Sequence, residues 1–142
     1  MNCWVMTRTG CRNNMVVDTS AVVAILTGES ASQRCIRAMD DAEALQMSAA
    51  SVLEVAMVVE ARYGHPGRVR FDRWLERSGV EVMVVTRDQV EAAREGFRRF
   101  GKGRHPAALN FGDCFSYGLA KVLAESLLFC GEDFSKTDVR PA

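Results

Sequence analysis

Four acidic residues stand at places where the chain changes character. Asp18 follows Met15-Val16-Val17 and precedes Thr19, Ser20 and the apolar run "AVVAIL"; Glu54 lies early in "SAASVLEVAMVVEARYG". Asp113 sits in "LNFGDCFSYGLAK", and Asp133 comes just after "SLLFC". Each has a structural reading of its own. Asp18 suits the cap of the following helix, and Ser51 and Glu54 have the spacing of a capping box. Asp113, three residues after Asn110, suits a helix N-terminus, where negative charge is favoured by about 0.3–1 kcal/mol. Taken together they suggest different chemistry. Converging carboxylates raise one another's pKa unless a cation offsets the repulsion. Mg²⁺ and Mn²⁺ take oxygen ligands and keep several waters, so a few carboxylates on an open edge suit them. Such an ion activates a water and stabilises the oxygens of a phosphodiester during displacement.

Whether the acids converge depends on the elements between them. Val16-Val17 opens a short strand, residues 20–26 and 31–39 read as helices, and Leu45 to Met47 as a weak strand. Apolar positions 52, 55, 56 and 59 have helical spacing, with Gly64 placed to end that helix. "GRVRFDRWLERSG" reads as an amphipathic helix and "VEVMVV" (80–85) as a buried strand. Residues 88–100 are helical, "GKGRHPAALN" is a loop, 112–124 a helix, "SLLFC" a strand and "GEDFSKTDVRPA" a loop-rich end. Strands separated by helices imply parallel pairing through right-handed crossovers. The expected fold is an α/β/α sandwich around a mainly parallel sheet of four or five strands. In such folds, sites form at the carboxyl ends of the strands, which is where the acids stand.

The 142 residues, 48% hydrophobic, fit one compact domain. No apolar run approaches the roughly 20 residues of a membrane span, so a soluble, cytoplasmic protein is expected. Residues 1–14 lack the apolar core of a secretory signal and read as a disordered lead-in, with Met15 as the natural start and the functional domain over 15–142. Five cysteines without a C-x-x-C pair read as reduced thiols rather than zinc ligands. Net charge is zero, so any argument for a nucleic-acid partner must be local. Arg94, Arg98, Arg99, Lys102, Arg104 and His105 supply one: cations on a helix end and a glycine loop just before the Asp113 segment, suited to phosphate contacts. His65 and His105 read as loop residues, and Phe71, Trp74, Phe97, Phe100 and Tyr117 as core or interface rather than base-stacking platforms.

The run into Asp18-Thr19-Ser20, Glu54 in its helix, the "LNFGDCFSYGLAK" segment and "LLFCGEDF" together resemble PIN-domain ribonucleases. From Met15 to about Val139 the chain resembles the VapC toxins of bacterial VapBC toxin–antitoxin modules. The resemblance implies a PIN-like fold and a Mg²⁺- or Mn²⁺-dependent endoribonuclease that cuts tRNA or ribosomal RNA to stop translation. It makes Asp18, Glu54 and Asp113 the metal-binding carboxylates, with Asp133 as the fourth acid and Ser20, with Thr19, positioning Asp18 or a water. The charge pattern, and not the resemblance, makes Lys102, Arg104, Arg98 and Arg99 the expected RNA contacts. The resemblance also implies a homodimer silenced by a VapB antitoxin. The sequence departs from the family at Gly131, where many members carry a further aspartate, so Glu132 and Asp138 are alternatives to Asp133. A dehalogenase-type phosphatase needs an aspartate where Ser20 stands, and a receiver domain needs an acidic pair where Asp18-Thr19 stands. The rival of another class is an RNA-binding module that blocks translation by occupancy.

Overall fold

The computed structural model describes residues 12–142. The chain runs β1 (Asn14–Val17), α1 (Thr19–Thr27), α2 (Ser32–Asp40), β2 (Ala44–Ser48), α3 (Ala49–Arg77), β3 (Val80–Met83), α4 (Arg87–Phe100), α5 (Phe111–Leu123) and β4 (Ser126–Leu128), then a 3₁₀ turn at Phe134–Lys136. The expected lead-in lies, up to residue 11, outside the described residues. Its last residue, Asn14, is already strand and pairs with Ala44.

All four strands are parallel, in the order β3-β2-β1-β4. The chain therefore leaves β1 in one direction to build β2 and β3, then returns to place β4 on the other side of β1. The crevice between β1 and β4 is the switch point at which open parallel sheets bind ligands. The period of two along β1 divides two cores. Met15 and Val17 face Ala21, Val22 and Leu26 of α1, Cys35 of α2 and Val55, Val59 and Phe71 of α3. Val16 faces Tyr117, Leu119 and Ala120 of α5, with Phe100, Leu109 and Phe129. A strand buried on both faces needs a continuous apolar run, and "MVV" is one.

Two sequence expectations change and one holds. "VEVMVV" is strand only at Val80–Met83 and is not buried: Val82 is 44% exposed and Val84 72%. As the outer strand, β3 pairs only with β2, and an apolar run alone does not reveal an edge position. Gly64 ends the first helical segment of α3 as expected: its backbone is non-helical, with φ 61° and ψ −147°, and a second helical segment resumes across the kink at Pro66. A glycine adopts that backbone at no steric cost. The cap of α3 is Ser48, whose hydroxyl accepts from the Ala50 N–H at 3.3 Å, so Ser51 and Glu54 form no capping box. Starting three residues earlier, the helix leaves Ser51 free for another partner.

α4 and α5 pack closely on the second core. A Cβ on Gly96 would stand 2.4 Å from the Tyr117 ring, and one on Gly118 2.4 Å from the Gln89 carbonyl. Among the described residues no helix is long and apolar enough to cross a membrane.

Candidate active site

Asp18 is placed by the sheet itself. Its N–H donates to the Leu128 carbonyl at 2.9 Å, extending the β1–β4 ladder by one rung before the chain turns into α1. Its side chain caps that helix: Oδ2 accepts from the Ser20 N–H at 2.9 Å and the Ser20 hydroxyl at 2.6 Å. Oδ1 accepts from the Ser116 hydroxyl at 2.5 Å, and Asp18 is only 3% exposed. Ser20 Oγ in turn accepts from the Cys130 N–H at 3.0 Å, joining the head of α1 to the segment after β4. Thr19 does not touch the aspartate; its hydroxyl donates to the Ser51 carbonyl at 3.4 Å and ties α1 to α3.

Asp113 is held by the expected cap. Its N–H donates to Asn110 Oδ1 at 2.9 Å while its Oδ2 accepts from the Asn110 N–H at 3.0 Å. Burial pushes its carboxyl up to about 6. The Asn110 N–H works against that rise, and the charges of Asp18, Asp133 and Glu54 add to it. The four acids are thus close enough for three to be felt by the fourth. Glu54 reaches the group across the gap between α3 and α5. A Cβ on Gly112 would stand 1.9 Å from its Oε2, so the carboxylate occupies the space a side chain at 112 would need.

Asp133 is exposed and heads the 3₁₀ turn without a side-chain cap bond. Glu132, also exposed, gives its carbonyl to Ser135. Asp138 is engaged elsewhere, accepting from Tyr117 Oη at 2.9 Å, Lys121 Nζ at 3.2 Å and Arg99 at 3.1 Å. Partial burial works to raise its carboxyl, but these donors outweigh it and hold the group below its ordinary value. Among the described residues no group of three or more His, Cys, Asp or Glu side chains is arranged to hold a metal ion.

The candidate RNA-binding cations divide. Arg98 pairs with Glu95 and Arg99 with Asp138, which offsets much of their charge. Lys102 and Arg104 are exposed on the loop after α4, with Arg104 over the Phe97 ring at 5.3 Å. Arg94, Arg98 and Arg104 edge an open groove of about 820 Å³ whose floor includes Val85, Val90 and Phe97. Phe111, 81% exposed, carries that groove to within two residues of Asp113.

Ser116 and Gly112 escaped the sequence reading, and Ser51 was read only as a helix cap. Their signal was spacing, since Ser51 stands one turn before Glu54, Ser116 one turn after Asp113 and Gly112 beside it.

The PIN-domain profile matches residues 15–140. The chain belongs to the PIN-domain family. Its PIN domain is 52% identical over 125 residues to ribonuclease VapC30 of Mycobacterium tuberculosis, covering 88% of this chain and 95% of that protein. It is 54% identical over 125 residues to ribonuclease VapC of Mycolicibacterium smegmatis, covering 88% and 97%. In fold the PIN domain is similar to the crystal structure of M. tuberculosis VapC20, a sarcin–ricin-loop-cleaving toxin, with TM-score 0.69, 23% identity and coverage of 89% and 99%. It is also similar to VapBC2 of Rickettsia felis bound to promoter DNA, with TM-score 0.66, 12% identity and coverage of 87% and 91%.

Proposed function

We propose that this protein is a metal-dependent endoribonuclease toxin that hydrolyses RNA phosphodiester bonds and so inhibits translation. The observation that carries the reading is the gathering of Asp18, Glu54 and Asp133 within electrostatic reach of Asp113 at the switch point of the sheet. The identity to relatives named as VapC ribonucleases supports the same activity.

The donor set suits a hard cation. Asp18, Glu54, Asp113 and Asp133 offer only carboxylate oxygens, the donor type that Mg²⁺ or Mn²⁺ takes while keeping part of its shell for water or substrate phosphate. When bound, the ion supplies Lewis-acid activation of water and charge stabilisation at the phosphate. Ser20 holds Asp18 Oδ2 through two hydrogen bonds. Asp113 must be ionised to serve as a ligand, so binding strengthens as pH rises through about 6. Lys102 and Arg104, with Arg98 and Arg99 behind them, hold RNA phosphates without reading sequence.

The partners follow from the same reading: an RNA substrate, a VapB-type antitoxin that silences the enzyme, and a second copy in a cytoplasmic homodimer. The apolar groove with Phe111 at its rim supports docking by a protein segment beside the acids. A toxin–antitoxin complex from Klebsiella pneumoniae, similar in fold with TM-score 0.65 and 12% identity, supports such a partner.

The test is incubation with total RNA and Mg²⁺ or Mn²⁺, with and without chelator, beside Asp18→Asn, followed by mapping of the new 5′ ends. Wild-type cleavage that chelator stops and Asp18→Asn lowers by at least about a hundredfold is expected, since losing one ligand weakens the site and its activated water. Equal cleavage by the variant would overturn the reading. RNA binding without cleavage under either metal would favour the occupancy mechanism.

A further inference from the structure

Asp18 is the most buried of the four acids, and its surroundings are made by hydroxyls from two other elements. A carboxylate has about four lone-pair directions. Three on Asp18 are taken: two by the N–H and O–H of Ser20, one by the O–H of Ser116. A serine hydroxyl has one proton, and that of Ser116 is committed to Asp18, so it cannot bond back to a carbonyl of α5 as mid-helix serines commonly do. In the 3.3 Å contact between Ser116 Oγ and Ser51 Oγ, the donor must then be Ser51. Both serines are fully enclosed, at 0% and 2% exposure, so water does not substitute for either bond.

Resting on the nuclease reading above, we propose that Ser116, backed by Ser51, is a positioning residue that fixes the rotation of the Asp18 carboxylate so that it offers the cation one oxygen lone pair. The placement of the two serines argues for more than local packing. Ser51 shares a face of α3 with Glu54, and Ser116 shares a face of α5 with Asp113, each three residues from its acid. The Ser51 carbonyl also accepts from Thr19, the residue after Asp18. One run of hydrogen bonds thus joins the three elements that carry Asp18, Glu54 and Asp113, behind the acids and away from solvent. Groups that orient a metal ligand in this way commonly change affinity or activity by about 10- to 100-fold when removed.

The experiment measures Mn²⁺ binding by calorimetry in the absence of RNA, for wild type, Ser116→Ala, Ser51→Ala and the double variant, beside thermal melts of the metal-free proteins. Cleavage is then followed against Mn²⁺ concentration. Ser116→Ala is expected to bind Mn²⁺ about tenfold more weakly. Its cleavage should recover as Mn²⁺ is raised while KM for RNA stays at the wild-type value, a response that lost folding stability alone would not give. Ser51→Ala is expected to weaken binding by about threefold and to add nothing in the Ser116→Ala background, because it acts through that residue. Unchanged Mn²⁺ affinity in Ser116→Ala, or additive losses in the double variant, would overturn the proposal. If Ser116→Ala does not fold, Ser51→Ala decides: weakened affinity supports the relay and unchanged affinity overturns it. A wild-type protein that neither binds Mn²⁺ nor cleaves RNA would instead sink the nuclease reading, so the two failures are distinct.

Discussion

Asp113 serves two requirements that pull its proton in opposite directions. As the third residue of α5 it accepts from the Asn110 N–H and completes the capping box, while burial and three carboxylates push it up to about 6. Its folded-state pKa lies above the ordinary 3.8, so the folded metal-free protein holds this proton more tightly than the unfolded chain does. The resulting stabilisation is full below about pH 3.8 and is lost as pH rises through about 6. Asp113→Asn keeps an acceptor for the cap and removes the charge. In melts without metal it is expected to unfold at a higher temperature than wild type at pH 8 and to lose that advantage by pH 5, while cleavage falls at least about a hundredfold. A variant that melts lower at pH 8 would show that the carboxylate stabilises the fold. Asp18, Asp113 and Asp133 stood out in sequence because they stand at element boundaries, whereas Glu54 lies in the second turn of α3. Ser116 did not stand out, because its role depends on which helix lies against α5.

Gly112 shows the same limit at the scale of elements. Periodicity brought out β1, α4 and α5 because each has an apolar pattern of its own, but the approach of α3 to α5 depends on the third dimension. The gap they leave is filled by the Glu54 carboxylate, 1.9 Å from where a Cβ on Gly112 would stand. The neighbour in question is the free end of a flexible side chain, so Gly112→Ala is expected to fold with an unchanged or slightly higher melting temperature, alanine being the better helix former. Glu54 must swing away, and cleavage and Mn²⁺ binding are expected to fall by at least about tenfold, as for other disturbed ligand sets. Wild-type activity in that variant would remove Glu54 from the site. β3 illustrates the opposite error: "VEVMVV" has the composition of an inner strand, yet with only β2 beside it the segment leaves Val82 and Val84 bare.

The whole molecule carries no net charge, so contact with RNA has to come from the separation of its charges. Acids gather at the end of the β1–β4 crevice, while Lys102 and Arg104 stand on the loop that leads into α5. Lys102→Ala with Arg104→Ala is expected to raise KM for RNA severalfold, leave kcat nearly unchanged and flatten the salt dependence of binding, since each phosphate contact contributes counterion release. An unchanged salt slope would remove this loop from the interface. The parallel sheet was legible from the alternation of strand and helix, but its strand order, and with it the switch point, was not. The groove between α4 and the head of α5 was not, because its residues come from separate segments, and Phe111 looks locally like any aromatic at a helix start.

The notch at Gly112 also bears on inheritance. Any glycine codon becomes an alanine codon by one base change, and here the added methyl group lands on the Glu54 carboxylate while the rest of the fold can stay as it was. A cell poisoned by this protein therefore has a short mutational path to a well-folded but disarmed copy. Survivors selected on the toxin should carry substitutions at codon 112 as well as at the four acids, and their proteins should accumulate to wild-type levels.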